Sequence, residues 1–162
     1  MKIAIVTTGG TIDKEYFDAL SDYKIGDSIV DGELQKYRVG FEYQVVPLLR
    51  KDSLELDDDD RALIVKTVSD LPQQHILITH GTDTMVTTAK ALANIKDKTI
   101  VLTGAMKPAR FKDTDAIFNV GVAIGALQCL PAGAYVAMSG RIFDPHKVSK
   151  NREAGQFQAS DG

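Results

Sequence analysis

Short, almost continuously apolar runs alternate with helical stripes along this chain, and that alternation restricts its fold more than any other feature. The runs are KIAIVT at 2–7, FEYQVVPLL at 41–49, HILIT at 75–79, KTIVLT at 98–103 and GAYVAM at 133–138. Strands this uniformly apolar suit a sheet that is covered on both faces. Between them, Ile64, Val65, Val68 and Leu71 form one stripe, Met85, Ala89 and Leu92 a second, and Ile117, Val120, Ile124 and Leu127 a third. Each follows the three-and-four spacing of one helix face. Strands alternating with helices of this length form right-handed βαβ units, so the expected fold is α/β: a doubly wound, mostly parallel, Rossmann-like sheet with helices on both faces.

A chain of 162 residues, 44% of them hydrophobic and 25% charged, is the size of one domain and can bury a proper core. A single domain over 1–162 is expected. The formal charge of −3, with no clustered Lys or Arg, provides no field for nucleic acid or an anionic membrane, so neither is expected as a partner. The one cysteine, Cys129 in GALQCL, has no second cysteine to pair with and reads as a core residue. The amino terminus runs straight into strand pattern and no apolar run is long enough to span a bilayer, which gives a cytoplasmic expectation.

In doubly wound sheets, ligands bind beyond the carboxyl ends of the strands, where the loops of this chain are chemically unusual. The first strand ends in TTGGTI, whose glycine pair permits positive φ and close approach to the backbone and presents Thr11. The third ends in THGTDTM, placing Thr82 and Asp83 at a helix amino terminus, where free N–H groups favour an anion or a developing oxyanion and where a plain N-cap is the simpler use. Neither loop has the GxxxxGK[ST] or GxGxxG spacing of a phosphate site. The acidic run Asp57 to Asp60 sits where a helix should begin and reads as its cap. Residues 13–40 lack clean periodicity, and a connection that long inside a compact domain reads as a functional loop or lid. His75, His80 and His146 are too scattered for a metal site, and His80 reads as a structural hydrogen-bonder.

TTGGTI and THGTDTM, about seventy residues apart and each at a strand end, together resemble the paired signature of the bacterial-type L-asparaginase family. The similarity continues through LTGAMKP (102–108), DAIFNVGVAIGAL (115–127) and VAMSGRIFDPHKVSK (136–150). The resemblance implies an amidohydrolase acting on asparagine or a related amide, without metal or cofactor, through an acyl-threonine intermediate that water resolves with release of ammonia. It implies that Thr11 attacks the side-chain amide, that Tyr23 helps relay its proton, and that Thr82, Asp83 and Lys150 form a second catalytic group, with Thr82 the other candidate nucleophile. Gly10, Asp52, Ser53 and Gly81, with Thr82 and Asp83, would line the substrate, Ser53 holding its α-carboxylate and Asp83 its α-amino group. A nucleophile, a proton carrier and oxyanion donors are what amide hydrolysis needs, and an amine beside a threonine hydroxyl can take its proton if burial lowers the amine's pKa.

Two departures from the family pattern stand out. Leu54 follows Ser53 where members usually carry a polar residue. Full-length members also have a carboxy-terminal domain, expected to be absent here, and the family's use of a neighbouring subunit's second domain implies a homodimer or larger assembly. A non-catalytic amino-acid-binding or sensor module is the alternative from another class, although a binder has no need of proton-relay residues. Hydrolysis of a larger amide remains open beside asparagine and glutamine.

Overall fold

The computed structural model describes residues 1–160. Its centre is a six-stranded sheet of β1 (Lys2–Gly9), β4 (Glu42–Lys51), β5 (His75–Thr79), β6 (Thr99–Thr103), β7 (Gly133–Met138) and β8 (Arg141–Phe143). The strands lie in the order β4-β1-β5-β6-β7-β8. All pair in parallel except β8, which turns back antiparallel on β7. The doubly wound α/β expectation holds, with one added edge strand.

Both faces are covered. Ile64 and Val68 of α2 (Asp58–Asp70) and Met85, Ala89 and Leu92 of α3 (Met85–Leu92) pack on one face with Ala4, Val6, Ile76 and Ile78. Val30 and Leu34 of α1 (Val30–Lys36) and the inner face of α4 (Ala116–Cys129) pack on the other with Ile3, Ile5, Leu77 and Val101. Alternate residues of β1 and β5 thus serve opposite cores, as a two-residue side-chain period requires. Burying such side chains stabilises the sheet by roughly 1.5–3 kcal/mol each.

Helix α4 corrects the expected stripe. Its buried line is Ala116, Asn119, Val120, Ala123, Ala126 and Leu127, with Ile117 and Ile124 only partly buried. The small alanines face the sheet and let the helix approach closely, displacing the larger isoleucines toward the margin. Cys129, expected in the core, is exposed. It lies two residues beyond Leu127, about 200° around the helix and so on the opposite side.

The acidic run does cap α2. The Asp57 side chain accepts the Asp60 N–H at 2.8 Å, and Asp60 returns the bond by accepting the Asp57 N–H at 3.1 Å. This is a reciprocal capping box, and Asp60 also holds Lys51 at 2.8 Å. Residues 13–40 are more regular than their sequence suggests: β2 (Lys14–Phe17) and β3 (Asp22–Ile25) form an antiparallel hairpin, followed by α1. A second hairpin, β9 (Val148–Asn151) with β10 (Gln156–Ala159), carries no strong strand pattern and is pinned by Val148 and Phe157, which enter the core.

Candidate active site

The sheet order makes β1 and β5 neighbours, with β4 on the outer side of β1. The chain reverses its winding between β1 and β5, and at such a switch point the loops diverge and leave a crevice. TTGGTI follows one of these strands and THGTDTM the other. The Thr8 hydroxyl donates to the Thr79 carbonyl at 2.8 Å and ties the two strand ends together.

Beyond that tie the loops touch through glycine. Gly10 has φ +89°, and a Cβ there would stand 2.4 Å from the Gly81 nitrogen and 2.5 Å from its Cα. Gly81 in turn lies against Ser53, whose Cβ would be 2.5 Å from an added methyl. Only residues without side chains let the three loops carrying Thr11, Ser53 and Thr82 come this close.

Thr82, Asp83 and Lys150 form one hydrogen-bonded group. The Lys150 ammonium donates to Thr82 Oγ1 at 2.7 Å and to Asp83 Oδ1 at 2.8 Å. Lys150 lies on β9, and the two-residue period puts it on the same strand face as buried Val148. Asp83 also faces Arg152 at 3.5 Å. Asp83 is not spent as a cap: α3 begins at Met85 after Thr84, which makes no side-chain capping bond.

Ser53 joins this group from the side. Its hydroxyl oxygen accepts the Asp83 N–H at 3.1 Å, and its carbonyl accepts the Thr84 hydroxyl at 2.8 Å. Ser53 is 1% exposed, whereas Leu54 is 65% exposed, so the neighbouring side chains point in opposite senses. Burial pushes the Asp52 carboxyl up, but the Leu54 N–H and the Lys14 ammonium outweigh it and hold Asp52 below the usual carboxylate range. His80 is fully buried, with Nδ1 2.7 Å from the Gly81 carbonyl and Nε2 2.8 Å from the Thr88 hydroxyl. Burial brings its pKa down to about 4, so at neutral pH it is an uncharged prop beneath the Thr82 loop.

Thr11 is half-buried and opens onto a different space, a cavity of about 460 Å³ lined by Lys14, Asp22 and Tyr23 of the first hairpin and by Met106, Pro108 and Phe111. The Tyr23 ring packs edge-on to Phe111 at 5.9 Å and to Tyr16 at 5.5 Å. Thr11 and Tyr23 therefore share one cavity. Thr82 does not line it: the Thr82–Asp83–Lys150 group stands beside it, across the Gly10–Gly81 contact. A larger cavity of about 680 Å³ lies among Met1, Lys2, Phe41 and Gln128, at the opposite edge of the sheet from the threonines.

Three further residues shape this neighbourhood without an obvious sequence signal. The Asp115 carboxylate accepts the backbone N–H groups of Met106 and Lys107 at 3.0–3.1 Å and holds the wall of the Thr11 cavity. Buried Asn119 links Asp115, the Gly104 carbonyl and the Ser139 N–H. Asp13, two residues after Thr11, is 1% exposed and its side chain accepts the Ile29 N–H at 3.1 Å. An aspartate in a loop ordinarily reads as solvated, so only the fold reveals these contacts. No helix among the described residues is long and apolar enough to cross a membrane.

The family model described as "Asparaginase, N-terminal" matches residues 2–159. An L-asparaginase of Thermococcus kodakarensis is 32% identical over 96% of this chain and 49% of its own length, and a probable periplasmic L-asparaginase of Haemophilus influenzae is 28% identical over 91% and 46%. Among solved structures, the thermostable L-asparaginase from Thermococcus kodakarensis superposes with a TM-score of 0.85 at 29% identity, covering 98% of this chain and 51% of that one. A probable cytoplasmic L-asparaginase from Campylobacter jejuni gives 0.82 at 26% identity with the same coverage. The chain thus spans about half the length of the relatives it matches. On the match over nearly its whole length, the chain belongs to the asparaginase family and corresponds to that family's amino-terminal domain.

Proposed function

We propose that this domain carries the nucleophile and proton-relay half of an amidohydrolase site that cleaves the side-chain amide of asparagine or a related amide and releases ammonia. The observation that carries the reading is the Lys150–Thr82–Asp83 group set against the Gly10–Gly81 contact. It puts an amine within proton-transfer distance of one threonine, one loop away from the cavity that holds the other.

In this reading Thr11 Oγ1 attacks the amide carbonyl, and Tyr23, in the same cavity, relays the hydroxyl proton to the amide nitrogen that leaves. The tetrahedral oxyanion collapses to an acyl-threonine with loss of ammonia. Water held by the Thr82–Lys150 pair then attacks the acyl carbon, its proton passing to the Thr11 oxygen as the acyl–oxygen bond breaks and the acid leaves. The substrate's ammonium group is assigned to Asp83 and its carboxylate to Ser53, with the Gly10 and Gly81 backbone alongside. The names of the relatives support asparagine as the first substrate to test.

A homodimer or larger assembly covering the cleft and a cytoplasmic setting belong to the same proposal, the latter supported by the Campylobacter jejuni name and opposed by the Haemophilus influenzae one. Ammonia release from asparagine, glutamine and a panel of larger amides, with sedimentation of the same sample, tests the reading. Saturable release from at least one amide that is lost in Lys150→Met supports it. Tight amino-acid binding with no turnover on any of them replaces it with a binding module.

A further inference from the structure

One residue, Asp13, joins several of the contacts that hold the base of the Tyr23 hairpin. The Asp13 N–H donates to the Gly10 carbonyl at 3.1 Å, which fixes it to the Thr11 turn. The Asp13 carbonyl accepts the Gly26 N–H at 2.8 Å and the Arg110 guanidinium at 3.4 Å, and its carboxyl accepts the Ile29 N–H at 3.1 Å. Residue 13 therefore binds the outgoing turn, the returning strand end and the entry to α1 together. The two ends of the hairpin are in close contact there, since a Cβ on Gly26 would meet the Glu15 carboxylate at 2.6 Å. Arg110 pairs with Glu15 at 3.4 Å while its neighbour Phe111 packs on Tyr23, so the segment before α4 grips the hairpin near its base and on its face.

We propose that Asp13 is a positioning residue for the Tyr23 hairpin, clamping both of its ends to the Thr11 turn.

Burial makes this clamp respond to pH. Asp13 is 1% exposed and lines a cavity of about 440 Å³ with residues 26–28 and β4, and the charged and polar groups facing it are Arg110 from the segment before α4, Arg50 from β4, itself engaged by Asp27, and the Ser28 hydroxyl. Burial outweighs the Ile29 N–H, the two guanidinium groups and Ser28, and raises the carboxyl to about 6 from its ordinary 3.8. Swinging the hairpin away returns Asp13 to water, where the ionised form is favoured. By linkage the closed arrangement holds the proton more tightly, so the open population should grow as pH rises from about 4 to above 6, by ten- to about a hundredfold for a shift of this size.

The catalytic consequence, through Tyr23, rests on the amidohydrolase reading, but the test does not use activity. Backbone hydrogen exchange is followed at pH 5 and pH 7.5 and divided by the intrinsic rate at each. Residues 14–29 should lose about ten- to a hundredfold of protection at the higher pH relative to β1 and β5. Asp13→Asn, which keeps an acceptor for Ile29 and carries no charge, should stay protected at both pH values, and Asp13→Ala, which keeps the backbone bonds but loses the Ile29 contact, should be less protected than Asp13→Asn at both. Hairpin exchange in the unsubstituted chain that ignores pH, or the same pH dependence in Asp13→Asn, overturns the clamp; these two comparisons decide even if Asp13→Ala fails to fold. A pH-dependent hairpin in a protein without amidase activity keeps the clamp and removes the amidohydrolase reading, and an active protein with a pH-indifferent hairpin does the reverse.

Discussion

Lys150 Nζ lies 2.7 Å from Thr82 Oγ1 although 68 residues separate them in the chain. The contact exists because the β9–β10 hairpin docks Val148 and Phe157 into the core and leaves Lys150 over the loop that follows β5. Removing the amine should therefore affect chemistry more than folding. Lys150→Met is expected to lower kcat by about a hundredfold or more, the usual scale for losing a positioned proton carrier. Its effect on stability should stay within about 1–3 kcal/mol, the cost of leaving the partly buried Asp83 with only the longer Arg152 contact. Ammonia assays beside thermal melts check this; a collapse in stability with unchanged kcat in the folded fraction would make Lys150 structural.

The Gly10–Gly81 contact makes a second prediction. Gly10→Ala must place a methyl 2.4 Å from backbone at φ +89°, and it should cost at least about 1–3 kcal/mol while pushing the threonine loops apart. The matched control is Gly121→Ala on the exposed side of α4, where nothing lies within 4 Å of the new methyl. That change should stabilise the chain by about 0.5–1 kcal/mol through helix propensity. Urea midpoints of both variants should thus move in opposite directions.

Two buried groups pull the pH dependence of stability in opposite senses. His80 is lowered from 6.5 to about 4, so the stability tied to its neutral form is complete above 6.5 and lost as pH falls toward 4. Asp13 is raised from 3.8 to about 6, so its contribution is complete below 3.8 and lost as pH rises through 6. Between pH 4 and 6 the two slopes oppose one another. Asp13→Asn should remove one of them, leaving a protein that is about 1–3 kcal/mol more stable at pH 7.5 yet loses stability more steeply on acidification. Denaturant midpoints at pH 4.5, 5.5 and 7.5 check both halves, and a variant less stable than its parent at pH 7.5 would contradict the burial argument.

What could be read from the sequence tracks how far each segment is buried. The parallel strands announce themselves because both of their faces are covered, so Ile3 to Val6 and Ile76 to Ile78 are apolar without interruption. The β2–β3 hairpin is silent because Tyr16, Phe17 and Tyr23 are exposed and no alternation survives. The β9–β10 hairpin is silent because Val148 and Phe157 alone anchor it. The grouping of Thr82, Asp83 and Lys150 is signalled only by the family motifs, since local chemistry alone assigns Asp83 to a helix cap and Lys150 to the surface. Asp13 and Asp115 were illegible, since a loop aspartate becomes a buried acceptor only when distant N–H groups converge on it. Cys129 was misplaced because an apolar neighbourhood in sequence says nothing about the far side of a helix.

The most direct measurement is ammonia release by Thr11→Val, set beside Thr82→Val and beside amino-acid binding to each. Thr11 shares its cavity with Tyr23, while Thr82 is bonded to Lys150. Thr11→Val is therefore expected to abolish turnover and leave ligand binding largely intact, because the loss falls on the covalent step. Turnover unchanged in Thr11→Val would contradict the assignment and move the nucleophile to Thr82 or out of this site altogether.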